Sequence, residues 1–263
     1  MLKAGVAGLL LLAAPALADS PFDGRWKGDL ASAQITQRPD RFQIKDGTYS
    51  CQTCTPTPYS VAADGQYHRV AGRPYWDELA VTVVDDHRTN FSFKKDGRVV
   101  SENSYTVSAD GRSLATTAHN TNNGGGVAVD SAGSATRVGA PVAGANLLSG
   151  AWQFAAASSI SDAALTITMR LDGNRYHQET GLGESLDAVI GGPYALNARD
   201  PGRTMTKVER VGPRALRFTD MNGGRVTGVS TWTVSADGQT LTSVGRDPQT
   251  GGTSRFRLTK QGS

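Results

Sequence analysis

Two cysteines lie three positions apart, in the segment CQTC from Cys51 to Cys54, and the chain contains no others. This spacing occurs in thiol redox pairs, haem attachment sites, zinc sites and short disulfides. A redox pair precedes a helix, whereas here the segment TPTPY follows and its prolines oppose a helix start. Haem attachment needs a histidine directly after the second cysteine, and that residue is Thr55.

A zinc site would need two further ligands, which His68 and His87 would have to supply by converging on the cysteine pair. The remaining interpretation is a disulfide formed in an oxidising compartment. A loop this short stabilises a fold by about 2 kcal/mol in the chain-entropy model, so the bridge would fix a turn. We therefore predict a disulfide between Cys51 and Cys54, with zinc binding and redox chemistry as alternatives.

The segment that follows, QYHRVAGRPYWDELAVTVVDDHRTN, has the densest set of aromatic and titratable side chains in the chain. Aromatic rings with polar tips suit the half-buried wall of a ligand pocket. We predict that Tyr67, Tyr75 and Trp76, together with Tyr105 further along, line a pocket for a small hydrophobic or amphipathic ligand. The alternative is that these rings cover one end of a folded unit and bind nothing.

The same segment contains pairs of acids and bases. His87 beside Asp85 or Asp86, or His68 with Asp77, would suit a general base and the group that orients it. A polar hairpin turn accounts for the Asp-Asp-His sequence as well, and a Gly-Pro-Arg turn stands at the matching point of the second half of the chain. We favour the turn, and we predict no catalytic residue, no metal site and no cofactor.

An internal repeat organises the chain around these residues. The segment YTVSADGRSL from Tyr105 returns as WTVSADGQTL from Trp232, 127 positions later, and the Gly-x-Trp triplet at Gly24 returns at Gly150, 126 positions later. Such matches indicate two copies of a unit of roughly 115 residues. The predicted divisions are a signal peptide at 1–18, a first repeat at 19–138, a linker at 139–148 and a second repeat at 149–263.

Each copy has the pattern of β-strands throughout. Segments such as RFQIKDGTYS and FSFKKDGRVV place Asp-Gly between two alternating or β-branched runs, which is typical of tight hairpins. Consecutive hairpins form an up-and-down meander, and a meander of about eight strands avoids exposed edges by closing into a barrel. We predict an all-β protein with two tandem antiparallel barrels, each starting with Gly-x-Trp, and a sandwich fold is the alternative.

Alternation along the segment RVVSENSYTVS predicts which side chains point inwards, because one face carries the same aromatic and valine positions in both copies. The predicted inward residues are Val99, Ser101, Asn103, Tyr105 and Val107 in the first copy, and Val226, Gly228, Ser230, Trp232 and Val234 in the second. The middle of this face is polar or small, so we expect a partly wet interior.

The first 18 residues have a basic residue, an apolar core and a small-x-small ending, which predicts a secretory signal peptide cleaved after Ala18. The apolar core falls short of the roughly 20 residues that a transmembrane helix needs. We therefore expect a periplasmic or secreted protein without a transmembrane segment. Without Lys3 the formal net charge falls from +3 to +2, with both signs interspersed, which argues against a nucleic-acid partner.

The Gly-x-Trp triplet at the start of an up-and-down β pattern resembles the opening motif of the lipocalin and wider calycin families. The whole pattern also resembles the lipocalin-like tandem repeats of uncharacterised exported bacterial proteins. The resemblance implies that Trp26 and Trp152 each plug one end of a barrel and that a late basic residue covers each indole. That residue would be Arg137 in the first copy and Arg255 or Arg257 in the second, and such stacking contributes on the order of 0.5–2 kcal/mol.

We expect the protein to bind a small ligand in one or both barrels, with the first copy the better candidate because it holds the aromatic set and the cysteines. The first alternative is a structural or interaction module of the cell envelope, and the second is a hydrolase or isomerase that uses His68 or His87. In the second copy, Tyr194 in GGPYALN is matched with Tyr75 in GRPYWDE and is predicted to be structural.

Overall fold

The computed structural model of the protein describes residues 20–262, so the predicted signal peptide at 1–18 lies outside the described residues. Within 20–262 the chain is all-β, with one short 3-10 helix and no α-helix. Accordingly, no helix in this range is long and apolar enough to cross a membrane. The 3-10 helix, Asp162–Leu165, lies between the twelfth and thirteenth strands.

The strands, in chain order, are β1 (Gly24–Thr36), β2 (Asp40–Lys45), β3 (Thr48–Cys51), β4 (Tyr59–Ala62), β5 (Tyr67–Arg69), β6 (Glu78–Val83), β7 (Arg88–Lys95), β8 (Arg98–Val107), β9 (Ser113–Asn120), β10 (Val129–Val138), β11 (Gly150–Phe154), β12 (Ser159–Ile160), β13 (Thr166–Asp172), β14 (Arg175–Thr180), β15 (Ser185–Val189), β16 (Ala195–Ala198), β17 (Met205–Gly212), β18 (Ala215–Asn222), β19 (Arg225–Val234), β20 (Thr240–Arg246) and β21 (Thr253–Lys260).

These strands form two antiparallel sheets. One is a closed barrel with the order β1-β13-β14-β15-β16-β17-β18-β19-β20-β21, in which β1 pairs with both β13 and β21. The other has the order β4-β3-β2-β11-β10-β9-β8-β7-β6-β5, with β12 also paired to β10. We name them the closed barrel and the open sheet. The all-β meander predicted from the Asp-Gly hairpins is confirmed, and one of its sheets closes.

The first strand of each copy belongs to the sheet of the other copy. β1 carries Trp26, which pairs with Lys260 on β21. β11 carries Trp152, which pairs with Arg137 on β10. The open sheet therefore runs without interruption from β2 to β12, whereas the closed barrel combines β1 with β13 to β21.

Chain connectivity explains this exchange. β11 follows β10 after a loop at 139–149, and consecutive strands of a meander usually pair with each other. β11 thereby takes the place beside β2, which leaves β1 to complete the ring formed by the later strands. The predicted repeats at 19–138 and 149–263 do not coincide with the sheets, because the chain passes between the sheets at 37–39 and at 161–165.

The duplicated SADG segments are hairpin turns, as predicted. Ser108 Oγ donates a hydrogen bond to Asp110 Oδ1 (2.6 Å) and accepts one from the backbone N–H of Ser113 (2.9 Å). In the second copy, Ser235 and Asp237 form the same turn, with a distance of 2.5 Å between Ser235 Oγ and Asp237 Oδ1. The most similar sequence in the two copies therefore serves the fold.

Alternation on β8 and β19 follows the predicted inner face except at one end. Tyr105 on β8 and Trp232 on β19 pack against the buried cores of their sheets. Val99 and Val226 were predicted to point inwards, but they are 47% and 36% exposed. A β-bulge beside each valine adds one residue to the strand, and this reverses the faces beyond it.

Each Gly-x-Trp tryptophan is fully buried and covered by a cation. The Nε1 atoms of Trp26 and Trp152 each donate a hydrogen bond to the carbonyl four residues earlier, at 2.9 and 2.8 Å. Arg137 Cζ lies 4.2 Å from the Trp152 ring centroid, and Lys260 Nζ lies 5.6 Å from the Trp26 ring centroid. Because the first strands are exchanged, Arg137 covers the tryptophan of the second copy.

The prediction that Arg255 or Arg257 covers an indole is wrong. Phe256 and Leu258 pack into the closed barrel, so the two arginines that alternate with them point outwards.

The glycine of each triplet makes room for the covering cation. A Cβ on Gly24 would lie 2.7 Å from Lys260 Cε, and a Cβ on Gly150 would lie 2.7 Å from Arg137 Nη1.

Candidate functional site

The interior of the open sheet is filled by aromatic rings. Tyr49 contacts Phe91 edge to face with ring centroids 5.2 Å apart, and Phe91 contacts Tyr105 at 4.9 Å. Tyr59, Trp76 and their neighbours extend these contacts. The eight rings of this network are Phe42, Tyr49, Tyr59, Trp76, Phe91, Phe93, Tyr105 and Phe154.

An arginine of the same copy covers the end of this aromatic interior. Arg73 is 7% exposed, and its Cζ lies 4.7 Å from the Tyr59 ring centroid and 5.7 Å from that of Trp76. Its guanidinium donates hydrogen bonds to the carbonyls of Thr55 and Thr57. The disulfide predicted between Cys51 and Cys54 is present just before these carbonyls. The open sheet thus fills its interior with its own rings and its own cation.

The closed barrel holds a cavity instead, here named the polar cavity, with a volume of about 440 Å³. Its wall includes the rings of Phe218 and Trp232, whose centroids are 4.8 Å apart. Most of the remaining side chains in the wall carry oxygen or nitrogen atoms. They are Gln178, Thr180, Glu184, Ser185, Asn197, Asp200, Thr204, Thr206, Asp220, Thr227 and Ser230.

Four polar residues of this wall replace apolar residues of the first copy. Leu79 faces Phe93 across β6 and β7, and Thr206 faces Asp220 across β17 and β18. Each second-copy residue lies 127 positions after its counterpart. The full set of replacements is Cys51 by Gln178, Val70 by Asn197, Leu79 by Thr206 and Phe93 by Asp220. The closed barrel has therefore exchanged part of its core for hydrogen-bonding groups.

Asp220 is the charged centre of the polar cavity. Thr206 Oγ1 donates a hydrogen bond to Asp220 Oδ1 (2.6 Å), and Asn197 Nδ2 donates one to Thr206 Oγ1 (3.1 Å). Burial raises the pKa of the Asp220 carboxyl, and the hydrogen bond from Thr206 offsets part of this effect. None of the described lysine, arginine or histidine side chains forms an ion pair with Asp220.

A second cavity adjoins the first, here named the apolar cavity, with a volume of about 460 Å³. The two cavities share Gln178, Thr180, Glu184 and Trp232, and the other walls include Ile167, Leu182, Phe256 and Leu258. Gly28 on β1 also lines the apolar cavity. Its counterpart in the open sheet is Phe154 on β11, 126 positions later, so a ring is replaced by a glycine here. The closed barrel thus offers a polar and an apolar compartment side by side.

Two more carboxylates stand at the rim of the polar cavity. Glu184 accepts a hydrogen bond from Thr180 Oγ1 (3.3 Å), and its pKa is raised by burial and by the negative charge of Asp200. Asp200 accepts the backbone N–H groups of Gly202 (3.0 Å) and Thr204 (2.7 Å). Asp200 occupies the position 127 residues after Arg73, so the charge at this point is reversed between the copies.

Tyr75 reaches from the open sheet to the mouth of the closed barrel. Its ring packs so closely on Gly202 that a Cβ there would lie 2.3 Å from the ring, and its hydroxyl lies 3.3 Å from Thr204 Oγ1. Asn122 holds the loop by donating a hydrogen bond to the Tyr75 carbonyl. Burial raises the pKa of the Tyr75 phenol. Beyond Tyr75 lies a groove of about 540 Å³ between the two sheets.

The four residues predicted to line a pocket are therefore separated. Tyr75 lines the polar cavity, but of the other copy's barrel, and Trp76 packs among the rings of the open sheet and also borders the groove. Tyr105 is inside the open sheet, where burial raises the pKa of its phenol to about 12. Tyr67 lies on the outer face, with its hydroxyl 2.8 Å from Ser92 Oγ and Lys94 over its ring.

The matching of Tyr194 with Tyr75 is wrong. Tyr67 on β5 pairs with Ala80 on β6. Ala195 on β16 pairs with Thr206 on β17, and continuing this register puts Tyr194 opposite Lys207, which lies 127 positions after Ala80. Tyr194 is therefore the counterpart of Tyr67. The counterpart of Tyr75 is Gly202, which is the residue that Tyr75 contacts.

His68 and His87 lie outside the cavities. His68 Nε2 is 2.8 Å from Asp64 Oδ1 in an exposed turn, not beside Asp77. His87 Nδ1 is 3.0 Å from the Val107 carbonyl. Asp85 accepts the backbone N–H groups of His87 and Arg88, which is the hairpin-turn role favoured from the sequence. Within residues 20–262, no group of three histidine, cysteine or carboxylate residues is arranged to hold a metal ion.

A larger depression of about 860 Å³ lies on the outer face of the open sheet. Its side chains include His119, which pairs with Asp130 at 2.8 Å, and both side chains are about half exposed or more. A depression on the outside of a sheet removes less of a ligand from water than a recess lined by inward-facing side chains does. The closed barrel is therefore the better candidate site.

No protein-family model matches this chain, and no curated protein aligns with it significantly. The candidate site therefore stands on the geometry of the barrel. The sequence does contain a pattern that indicates this site, although the aromatic residues do not point to it. Comparing the inward positions of the two copies at a spacing of 127 finds Thr206 and Asp220 where the first copy has leucine and phenylalanine.

Proposed function

We propose that this chain is an exported, lipocalin-like ligand-binding protein whose binding site is the interior of the closed barrel. The observation that carries the proposal is the replacement of apolar core residues by Gln178, Asn197, Thr206 and Asp220 around a cavity. These groups are hydrogen-bonded to one another or, for Gln178, to Tyr176, but they bury less apolar surface than the first-copy residues do. A barrel selected for stability alone would carry the apolar set.

The open sheet has a supporting role in this proposal. Its two edge strands, β4 and β5, follow each other in the chain, and we consider it a second barrel of the same type with a filled interior. It contributes Tyr75 to the mouth of the closed barrel and thereby completes the binding site. The disulfide between Cys51 and Cys54 supports export to an oxidising compartment.

The experiment fills the cavity with the residues of the first copy. The double variant Thr206→Leu and Asp220→Phe is compared with the wild type by ligand-observed NMR against a library of small polar and amphipathic molecules. We expect molecules that bind the wild type to lose binding in this variant, because leucine and phenylalanine occupy the polar cavity.

The matched control exchanges another cross-strand pair for its first-copy counterpart, on the outer face of the same barrel. His177 and Asp187 lie 2.7 Å apart there, where the first copy has Ser50 and Ser60. The variant His177→Ser with Asp187→Ser should bind like the wild type. Equal binding by the cavity-filled variant, or binding lost in the outer-face variant alone, would refute the proposed site.

A further inference from the structure

We infer that the closed barrel selects a small organic cation, an ammonium or guanidinium group on an apolar body. This inference rests on the proposed function and names the ligand class of the same site. The polar cavity would receive the charged head, and the adjoining apolar cavity would receive the body.

The first copy already shows a cation in the equivalent position. In the open sheet, the guanidinium of Arg73 lies over Tyr59 and Trp76 at the end of the aromatic interior. The equivalent residue of the closed barrel is Asp200, which leaves the aromatic interior without an internal cation. The two rings that Arg73 covers correspond to Leu186 and Arg203, so a ligand cation in the closed barrel would lie beside Phe218 and Trp232 instead.

The charges of the polar cavity fit a cation and exclude an anion. Glu184, Asp200 and Asp220 line it, and its wall contains no lysine, arginine or histidine among the described residues. Arg199 and Arg203 flank Asp200 in sequence, but both are exposed, and Arg199 pairs with Glu179 at 3.6 Å. The three carboxylates therefore accept hydrogen bonds but form no ion pair with a cationic side chain of the described residues.

Aromatic rings provide the second element of cation recognition. Phe218 and Trp232 line the polar cavity with ring centroids 4.8 Å apart. A cation over the face of an indole is attracted by the ring quadrupole, and the attraction grows when water is excluded. Carboxylates next to aromatic faces favour an organic cation with an apolar body, since such a ligand contacts both.

The raised pKa values of the two carboxyls are consistent with this arrangement. Burial raises the pKa of Asp220, and burial together with the negative charge of Asp200 raises that of Glu184. A bound cation would stabilise both ionised forms and release part of this penalty.

The test compares three probes of nearly equal shape by isothermal titration calorimetry at neutral pH. They are phenethylamine, which is cationic, 2-phenylethanol, which is neutral, and 3-phenylpropionate, which is anionic. We expect the amine to bind at least about tenfold more tightly than the alcohol, as a charge-assisted hydrogen bond predicts, and the anion to bind most weakly.

Two variants separate the charge of the site from the charge of the protein. Asp220→Asn keeps the shape and the acceptor for Thr206, and it should weaken amine binding by about tenfold while changing alcohol binding by less than about twofold. Asp187→Asn removes the same charge from the outer face and should leave both affinities within about twofold. Circular dichroism checks that each variant is folded.

The outcomes distinguish this inference from the proposed function. If the alcohol or the anion binds as tightly as the amine and the cavity-filled variant loses that binding, the barrel binds ligands but does not select cations. Amine binding that survives both Asp220→Asn and the cavity-filled variant places the amine elsewhere and overturns the inference. If none of the three probes binds the wild type, the inference fails, and the NMR screen of the wild type against the cavity-filled variant decides the proposed site separately.

Discussion

Truncation of Trp26 tests the exchange of first strands between the two copies. Trp26 belongs to the first repeat in sequence, but it is fully buried in the closed barrel, which is otherwise built from the second repeat. Trp26→Ala should therefore destabilise the closed barrel more than the open sheet. If each copy instead folded on its own sequence, the same substitution would damage the first copy.

The expected magnitude follows from burial. Replacing a fully buried tryptophan by alanine costs about 3–5 kcal/mol through lost transfer energy and the cavity left behind. Trp26 also donates the hydrogen bond from Nε1 (2.9 Å) and contacts the Lys260 cation, so the cost should not fall below this range. At 1.4 kcal/mol per factor of ten, amides that exchange by unfolding of the barrel should exchange roughly 10² to 10³ times faster, or more.

Hydrogen exchange measured by mass spectrometry reads this change strand by strand. Peptides from β18 to β20 report on the closed barrel, and peptides from β7 to β9 report on the open sheet. In Trp26→Ala the first set should lose protection and the second set should retain most of it. The reciprocal control is Trp152→Ala, in which β7 to β9 should lose protection and β18 to β20 should retain it.

The opposite pattern would refute the strand exchange. If Trp26→Ala exposes β7 to β9 while β18 to β20 stay protected, then β1 pairs within its own copy. Equal loss in both sets, in both variants, would mean that the two sheets unfold as one unit and that the exchange does not divide their stabilities.

Four other variants test separate parts of the structure. The free energy of unfolding of Asp220→Asn should exceed that of the wild type at neutral pH. Because burial raises the folded-state pKa of this carboxyl, the native state loses stability as pH rises through that pKa, so the advantage should shrink in acid, as urea unfolding at both pH values would show. Arg137→Ala should lower the free energy of unfolding by about 2–4 kcal/mol, because Arg137 both stacks on an indole at 4.2 Å and donates hydrogen bonds to three backbone carbonyls. Lys260→Ala should cost less, since its ammonium is 5.6 Å from the ring. Replacing Cys51 and Cys54 together by alanine should cost about 2 kcal/mol in chemical denaturation, with the fold retained.

Each of these has a result that contradicts it. An Asp220→Asn protein less stable than the wild type at neutral pH would mean that the ionised carboxylate stabilises the barrel. If Arg137→Ala and Lys260→Ala lower the free energy of unfolding equally, the hydrogen bonds from Arg137 to the three carbonyls do not add to stability. Loss of folding without the disulfide would show that it fixes more than the turn after β3.

Local chemistry explains which parts of the fold were predictable. Asp-Gly between alternating runs predicted the hairpins, and at Asp46 and Gly47 the φ angles of 50° and 71° are those of a type I′ turn. The spacing of Cys51 and Cys54, with prolines after them, was sufficient to predict the disulfide. Inward alternation predicted Tyr105 and failed only where a bulge shifted the strand.

The candidate site was less accessible from sequence. The segment from Tyr67 to Trp76 is rich in aromatic and titratable residues, which suggested a binding site. Most of these side chains fill or cover the open sheet. The informative residues were isolated polar ones, such as Asp220, which are unremarkable until their strand parity and their repeat counterpart are considered together. Tyr75 was predicted to line a pocket with its neighbours in the chain, whereas the cavity that it borders belongs to the other copy.

The sequence by itself determined the repeat, the strands, the turns and the disulfide, since each depends on residues that are close in the chain. The tertiary structure decided which strand completes which sheet, because both strands begin with the same Gly-x-Trp triplet and the triplet does not record which sheet it joins. It also decided where the cavity lies. The cavity forms where side chains of the closed barrel meet Tyr75 from the other sheet. These residues are far apart in the chain, so no local sequence pattern predicts that they meet.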